Sequence, residues 1–436
     1  MTDRRFWRRS IGSEQRIANL VEHLARRGNA VTVAYVGRLL KSDRDELDAF
    51  VAPFPKLEVL GRSLDLAGAA LALRLRARRL LNSILDWFQS PGRAAEHPGA
   101  ACEDRSFRME SSNPLLAEPS SLRRAFVERL LIQRRPDLVI VEMVRLTATV
   151  YPRPSCKGWQ AIYLIDTIDV VHQRAERFRA GGAQVQFNVD AHEEGEALAT
   201  YDVLLAIQEG DRRVFRALVP GKTVLTVPHG LSIPTQAPDE SPRIAADSRP
   251  IRLGLLGGRD ESNLAGLSWF LDAVWPTLAE RFGDRIELRV AGQICERFSR
   301  TEKGMEIVGP VASIGDFWSE IDIAINPIRF GSGLKIKNVE ALAYARPLLT
   351  STVGAEGLEG AAPAGLAIAD SAAQWLERLS TWIVEPAIHA EIARHGRRFA
   401  EAHFSPDTAF AQLDAYVDAI PNIRALEDRP TRSTAP

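Results

Sequence analysis

One stretch, from Ile321 to Leu358, constrains the fold of this chain more than any other: IDIAINPIRFGSGLKIKNVEALAYARPLLTSTVGAEGL. An apolar run from Ile321 to Ile328 leads into a glycine-broken loop. A helical pattern from about Ile336 to Ala345 follows, then a second apolar run after Arg346-Pro347. Strand, helix and strand at this spacing make a βαβ unit, and such a unit needs a parallel sheet with helices packed on it. Gly331 and Gly333 let the backbone come close to a ligand, and the free N–H groups of the helix behind them attract anions. Lys335 and Lys337 stand at that same helix N-terminus, where a cation opposes the dipole. Two of only seven lysines in the chain fall here, and a negatively charged ligand between them would explain the placement. The stretch reads as a diphosphate site.

A chain of 436 residues exceeds one ordinary core, so two α/β domains are expected. The second begins at IRLGLLG (Ile251–Gly257), a strand that runs into a glycine loop, GGRDESN, carrying Gly258, Arg259 and Asn263. IELRVAG (from Ile286) and MEIVGPV (from Met305) read as further strands, and the domain is expected to span 251–404. Loops that leave parallel strands at their C-terminal ends share one edge of the sheet, so Arg259 and Lys335 should open on one crevice. Helices are expected around Ala372–Val384 and Pro386–Phe404, a C-terminal helix over 405–420, and a disordered tail over 421–436.

The first domain, 1–230, reads less regularly. Gly12–Leu24 is a glycine turn and helix, followed by the strand AVTVAYV (Ala30–Val36). A strand should precede Gly12, yet Met1–Ser10 is polar and arginine-rich, unlike a strand buried on both faces. The expectation is a missing first strand, the alternative an irregular replacement. PDLVIVEMV (Pro136–Val144) and QAIYLID (Gln160–Asp166) are buried strands, and Glu142, Asp166, Asp169 and His172 lie at their C-terminal ends. Each is a site candidate on that ground, with a helix cap or a solvated side chain as the plain alternative. A helix at Glu193–Thr200 and strands at Asp202–Ala206 and Val224–Val227 complete the domain. Residues 231–250, rich in proline, read as the interdomain linker.

Two segments of the first half stand apart. Leu64–Phe88 is a long helical pattern with Arg74, Arg76, Arg78 and Arg79 clustered, suited either to anionic lipid or simply to solvent. Residues 90–120 read as a loop or insertion. A net charge of -1 argues against bulk nucleic-acid binding. Cys102, Cys156 and Cys295, odd in number and without CxxC spacing, suggest a reducing compartment, with neither a disulfide framework nor a zinc site. No apolar run approaches the roughly 18–20 residues of a spanning helix. A dinucleotide-dependent oxidoreductase fits poorly, since no GxGxxG follows a first strand with an acidic residue about 20 positions on.

GSEQRIANLVEHLARRGNAVTV, PDLVIVE, LIDTIDV, VPHG, GLLGGRDESN, GMEIVGPV and above all GSGLKIKNVEALAYARPLLTSTVGAEGL together resemble the GT-B glycosyltransferases, specifically the retaining glycosyltransferase family 4. The resemblance is strong over about 251–404, fair for 12–36 and 136–230, and absent over roughly 90–120. It implies two Rossmann-like domains facing across a cleft. The second would hold a nucleotide-diphosphate sugar without metal or cofactor, and a glycan or lipid-linked acceptor would receive the sugar. By position, it implies that Arg259 and Lys335, with Lys337, contact the diphosphate, helped by the backbone of Gly258 and of Gly331–Leu334, and that Glu340 takes the ribose hydroxyls. Gly12 and Ser13 would line the cleft from the first domain. Three positions depart from the family pattern. Ser332 stands where the first of two glutamates is usual, Ile168 where a histidine is common, and Asn263 near a common lysine. Asp169 or His172 would then supply the polar contact expected at Ile168, and with Lys335 and Arg259 they form the expected catalytic set. The implied place of action is the cytoplasm, or the inner membrane face through the basic segment. The competing reading is a non-catalytic GT-B protein that binds nucleotide or glycan within an assembly.

Overall fold

The computed structural model describes residues 1–62, 113–117, 121–154, 156, 158–185, 188–234, 249–311 and 313–427. The expected basic helix at Leu64–Phe88, Cys102, most of the segment 90–120 and the middle of the linker lie outside these residues.

Among the described residues the first half carries six strands, all paired in parallel: β1 (Val31–Arg38), β2 (Leu57–Arg62), β3 (Leu138–Glu142), β4 (Ile162–Asp166), β5 (Val203–Ala206) and β6 (Thr223–Thr226). They form a pair, β1-β2, and a four-stranded sheet, β3-β4-β5-β6. Between the two sheets runs the start of the chain. Thr2 donates its N–H to Ala34 O (3.1 Å) and accepts from Val36 N–H (2.9 Å). On the other side Met1 donates to Ile140 O (2.6 Å) and accepts from Glu142 N–H (3.0 Å). The place expected to lack a strand is therefore filled by an irregular bridge of two residues. The arginine-rich composition concealed this because the bridge is short and its anchor comes later. Phe6 and Trp7 are buried against Tyr35 and Phe50, while Arg8 turns outward to Asp43 and Glu46. Residues 113–117, expected within a loose insertion, are pinned to the core by buried Leu115 and by a 2.7 Å bond from Asn113 to Glu193 O.

The second half is one continuous parallel sheet: β7 (Ile251–Leu256), β8 (Ile286–Ala291), β9 (Met305–Gly309), β10 (Ile323–Asn326), β11 (Leu348–Thr350) and β12 (Leu366–Ile368). Its spatial order is β12-β11-β10-β7-β8-β9. The strands alternate with helices, and the apolar faces are covered by Phe270, Trp275 and Trp375 in one layer and by Phe317, Val339 and Leu342 in the other. Chain direction across the sheet reverses between β7 and β10. In an open α/β sheet the crevice outside the strand ends at that reversal is where ligands bind.

The last helix, Ala411–Glu427, returns to the first half, where Leu413 packs with Leu20, Leu164 and Leu205. His23 of the helix Gly12–Arg26 and Arg27 just after it bind Asp414 of this helix. It passes through Pro421 instead of stopping before it, contrary to the expected end at 420. A proline inside a helix removes one hydrogen bond and bends the axis without always ending it. Cys156 is disulfide-bonded and Cys295 is a free thiol, so the expectation of a reducing compartment without disulfides does not hold at Cys156. No helix among the described residues is long and apolar enough to cross a membrane.

Candidate functional site

The loop after β10 is shaped by its glycines. Gly331 has φ +140° and Gly333 φ +70°, backbone that a side chain would strain. At Gly333 there is a second reason, since a methyl group would lie 3.2 Å from both Asp169 Cβ and Ile168 O of the other domain. The helix that follows, Ile336–Ala343, begins without a side-chain cap. So does the helix Gly12–Arg26, and a methyl at Gly12 would come within 3.0 Å of Ile336. Two uncapped helix N-termini thus meet at the cleft, one from each domain. Their free N–H groups and aligned dipoles make the junction attractive to an anion.

Three ionisable groups sit beside this junction. Lys335 is buried and donates to Gly333 O (2.6 Å) and to Glu356 (3.4 Å). Burial lowers its pKa, and Glu356 opposes that shift. Lys337 donates to Asn263 Oδ1 and is brought down to about 8 by burial, with Asp260 pulling the other way. Although burial pushes Asp260 up, hydrogen bonds from Ser262 and Asn263 N–H and the charge of Lys337 hold it below the usual carboxylate range. Position 263 is therefore not lysine, but an ammonium stands on it all the same. Glu340 is buried and pushed up to about 8 by desolvation, with Gln15 of the first domain and Trp318 beside it. A carboxyl at that pKa is mostly protonated at neutral pH and can donate as well as accept.

Across the cleft, the turn after β4 is strained. Ile168 has φ +66°, a region costly for a β-branched residue by about 1–3 kcal/mol. Thr167 holds the turn, donating Oγ1 to Leu205 O at 2.9 Å. The strained turn aims Ile168 O and Asp169 at the glycine loop, and Ser332 donates to Asp169 Oδ2 (3.2 Å). The helix behind it, Val171–Ala180, tightens the contact. Arg177 donates to Gly331 O (2.9 Å) and to Glu356, and Phe178 meets Phe330 edge-on at 5.2 Å.

The structure separates the expected residues into three groups. Gly331, Ser332, Gly333, Leu334, Lys335, Lys337, Glu340, Gly12 and Asp169 converge on the junction, with Ser13 in the first turn of its helix. Gly258 lies against the side chains of Asp260 and Asn263, on the Lys337 side of the junction. Arg259 is half-exposed, bonded to Gln293 (3.1 Å) and paired with Glu296 (3.1 Å). His172, Asp166 and Glu142 are engaged elsewhere. His172 Nδ1 lies 2.6 Å from Glu194, whose carboxylate also accepts the N–H groups of Val171 and His172 and so caps their helix. Asp166 is locked to buried Arg16 by two bonds of 2.7 Å, and Arg16 also donates to Val227 O and Pro228 O. Glu142 is pushed well above the usual carboxylate range by burial and by the neighbouring Asp166.

Sequence reasoning missed Arg16, Gln15, Arg177 and Glu356. Arg16 had a signal, a charge one turn into a helix whose Ile17, Leu20 and Val21 are apolar. Arg177 had none, because its helix was not expected.

With this geometry in place, residues 251–383 match the family model described as "Glycosyl transferases group 1". No curated protein matches the chain by sequence. Among solved structures, Anabaena HepE in complex with UDP and glucose is similar at TM-score 0.60 and 12% identity, over 94% of this chain and 96% of that one. Sucrose-phosphate synthase from Thermosynechococcus elongatus is similar at TM-score 0.55 and 13% identity, over 69% and 78%. S. aureus TarM is similar at TM-score 0.52 and 12% identity. That likeness covers 68% of this chain and 58% of TarM, so the chain spans little more than half of TarM's length. The fold is GT-B: two Rossmann-like domains facing across a cleft.

Proposed function

We propose that the protein is a glycosyltransferase that moves a sugar from a nucleotide-diphosphate sugar to a hydroxyl of a glycan or lipid-linked acceptor, with retention at the anomeric carbon and without a metal. The observation that carries this reading is the pair of uncapped helix N-termini at Gly12 and Ile336, with Lys335 and Lys337 beside them. The diphosphate would lie at this junction, and Glu340 would take the ribose hydroxyls. In transfer, the bond from the sugar C1 to the diphosphate oxygen breaks and a bond to the acceptor oxygen forms. The acceptor proton leaves with the nucleoside diphosphate. Fixed dipoles and a buried ammonium stabilise the charge that gathers on the leaving group without reorganising during the step. Ser332 and Asp169 close the side where the sugar would sit. The family match over 251–383 and the HepE complex with UDP and glucose support a nucleotide-sugar donor. Action at the inner membrane face would rest on the Leu64–Phe88 segment.

Turnover of a sugar-nucleotide panel, read as release of free nucleotide, tests the activity. Titration of UDP and GDP into wild type and Lys335→Ala tests the site. The variant is expected to lose about 10- to 100-fold in affinity, the worth of a charge-assisted hydrogen bond. Equal affinity in both proteins would refute the site. The non-catalytic reading is favoured by Ile168 and Ser332, and nucleotide binding with no sugar released from any donor would establish it.

A further inference from the structure

A cavity of about 900 Å³ opens beyond Ser332 and Gly333, away from Lys337, Glu340 and Arg259, none of which lines it. One wall is the first turn of the helix Glu209–Leu218, and the other is formed by Phe399, His403, Phe404 and Ala411 near the C-terminus. We infer that this cavity is a subsite for an uncharged sugar ring of the acceptor, with Asp211 accepting one of its hydroxyls. The inference rests on the transferase reading above.

Asp211 is more than nine-tenths buried and lines the cavity. Its Oδ1 accepts from Gln208 Nε2 at 2.8 Å, while Oδ2 has no partner. A buried carboxylate oxygen without a donor is costly, and a ligand hydroxyl would satisfy it. The favourable place of an acid in a first helical turn does not account for the open oxygen. Burial raises the group to about 6, Asp169 and Glu356 adding to the effect, and it remains mostly ionised at neutral pH. The wall opposite carries Phe399 and His403, which stack on each other at 4.2 Å with 26° between their planes. Carboxylate on one side and aromatic rings on the other suit a ring with hydroxyls at its edge and C–H groups on its faces.

Charge selects against an anionic ring. Glu209, Asp211, Glu356 and Glu359 line the cavity against Arg177 and Arg213, and Arg177 is already engaged with Glu356 and Gly331 O. Glu356 also accepts from Lys335, so one carboxylate joins the cavity wall to the proposed phosphate loop.

The test uses labelled full-length protein with UDP or GDP on a printed array of neutral and uronate-bearing oligosaccharides. Wild type is expected to retain neutral glycans. Asp211→Asn and Val214→Trp, which fills the cavity, are expected to weaken that retention at least about tenfold while nucleotide affinity stays within about twofold. Retention unchanged in both variants, preference for uronates, or no neutral glycan retained would overturn the subsite. Hydrogen exchange on wild type gives a reading free of folding defects. A retained neutral glycan should protect amides in 208–214 and 399–404, and protection elsewhere only would overturn the inference. Loss of nucleotide binding by wild type strikes the transferase reading itself, whereas normal nucleotide binding without these glycan effects strikes the subsite alone.

Discussion

At the end of β4 in the first half, Asp166 is held by two bonds from Arg16. After β10 in the second half, Lys335 is also buried but held by loop carbonyls and a long contact to Glu356. Asp166 closes one parallel strand and Lys335 stands on the loop that follows another. The difference lies in what surrounds them. Arg16 gives Asp166 a full set of partners and ties the helix Gly12–Arg26 to β4 and to the turn after β6. Lys335 and Glu340 are buried and Lys337 is half-buried, their partners only partly offset the loss of water, and their pKa values move accordingly. A polar residue at a strand end is thus a strut when its partners are complete and a site candidate when they are not.

The largest expected effect breaks the strut. Arg16→Met leaves Asp166 buried without its cation and next to Glu142, which should cost about 3–5 kcal/mol of stability, as breaking a buried pair does. Denaturant unfolding measures it, and a loss under about 1 kcal/mol would mean the pair is not what fixes that helix. Next comes Lys335→Ala, where the comparison predicts the reverse pattern, a large loss of nucleotide affinity with little change in unfolding midpoint.

Gly333→Ala probes the place where the halves touch. Strain at φ +70° and the 3.2 Å approach to Asp169 and Ile168 should cost about 1–2 kcal/mol, seen as about 5- to 30-fold weaker nucleotide binding by calorimetry. Unchanged affinity would show that the contact is not needed for binding.

Glu340→Gln gives a pH signature. A carboxyl pushed up to about 8 from 4.5 binds a proton on folding, so the stability it allows falls as pH rises through that window. The glutamine variant lacks this fall. Its midpoint should exceed that of wild type by about 2–4 °C at pH 9, the equivalent of about 1 kcal/mol, and the gap should close towards pH 5. A constant gap would place the charge elsewhere. The smallest effect is expected for Arg259→Ala, since the side chain is half-exposed and paired with Glu296. Nucleotide affinity should fall less than about fivefold, within the range of an exposed pair. A loss equal to that of Lys335→Ala would show that Arg259 swings inward when the ligand binds.

Much of the secondary structure could be read from local pattern. The helices at Ala372–Val384 and Pro386–Phe404 lie where apolar spacing placed them, and the βαβ unit around Lys335 is observed as β10, a helix and β11. β2 and the helix Val171–Ala180 were not legible. β2, LEVLGR, is an edge strand among the described residues whose apolar run is broken by Glu58 and Gly61, and VHQRAERFRA is mostly polar, with only His172, Ala175 and Phe178 buried. The filled place beside β1 was hidden as well, because two residues make no period. His172 looked like a site residue because nothing near it in sequence announces Glu194, which lies 22 residues on.

By itself the sequence determined the repeating part of this protein: runs of apolar residues that must pair as buried parallel strands, helices with one oily face, and a glycine loop that ends in two lysines. These follow from interactions within a few residues, and periodicity records them. Only the tertiary structure decided which polar groups are answered. Arg16 finds Asp166 across 150 positions and Ser332 finds Asp169 across 163. Burial then turns each matched or unmatched partner into a fixed strut or a shifted pKa. No local pattern encodes such pairings, because they arise only when the sheets of both halves and the returning C-terminal helix have come together.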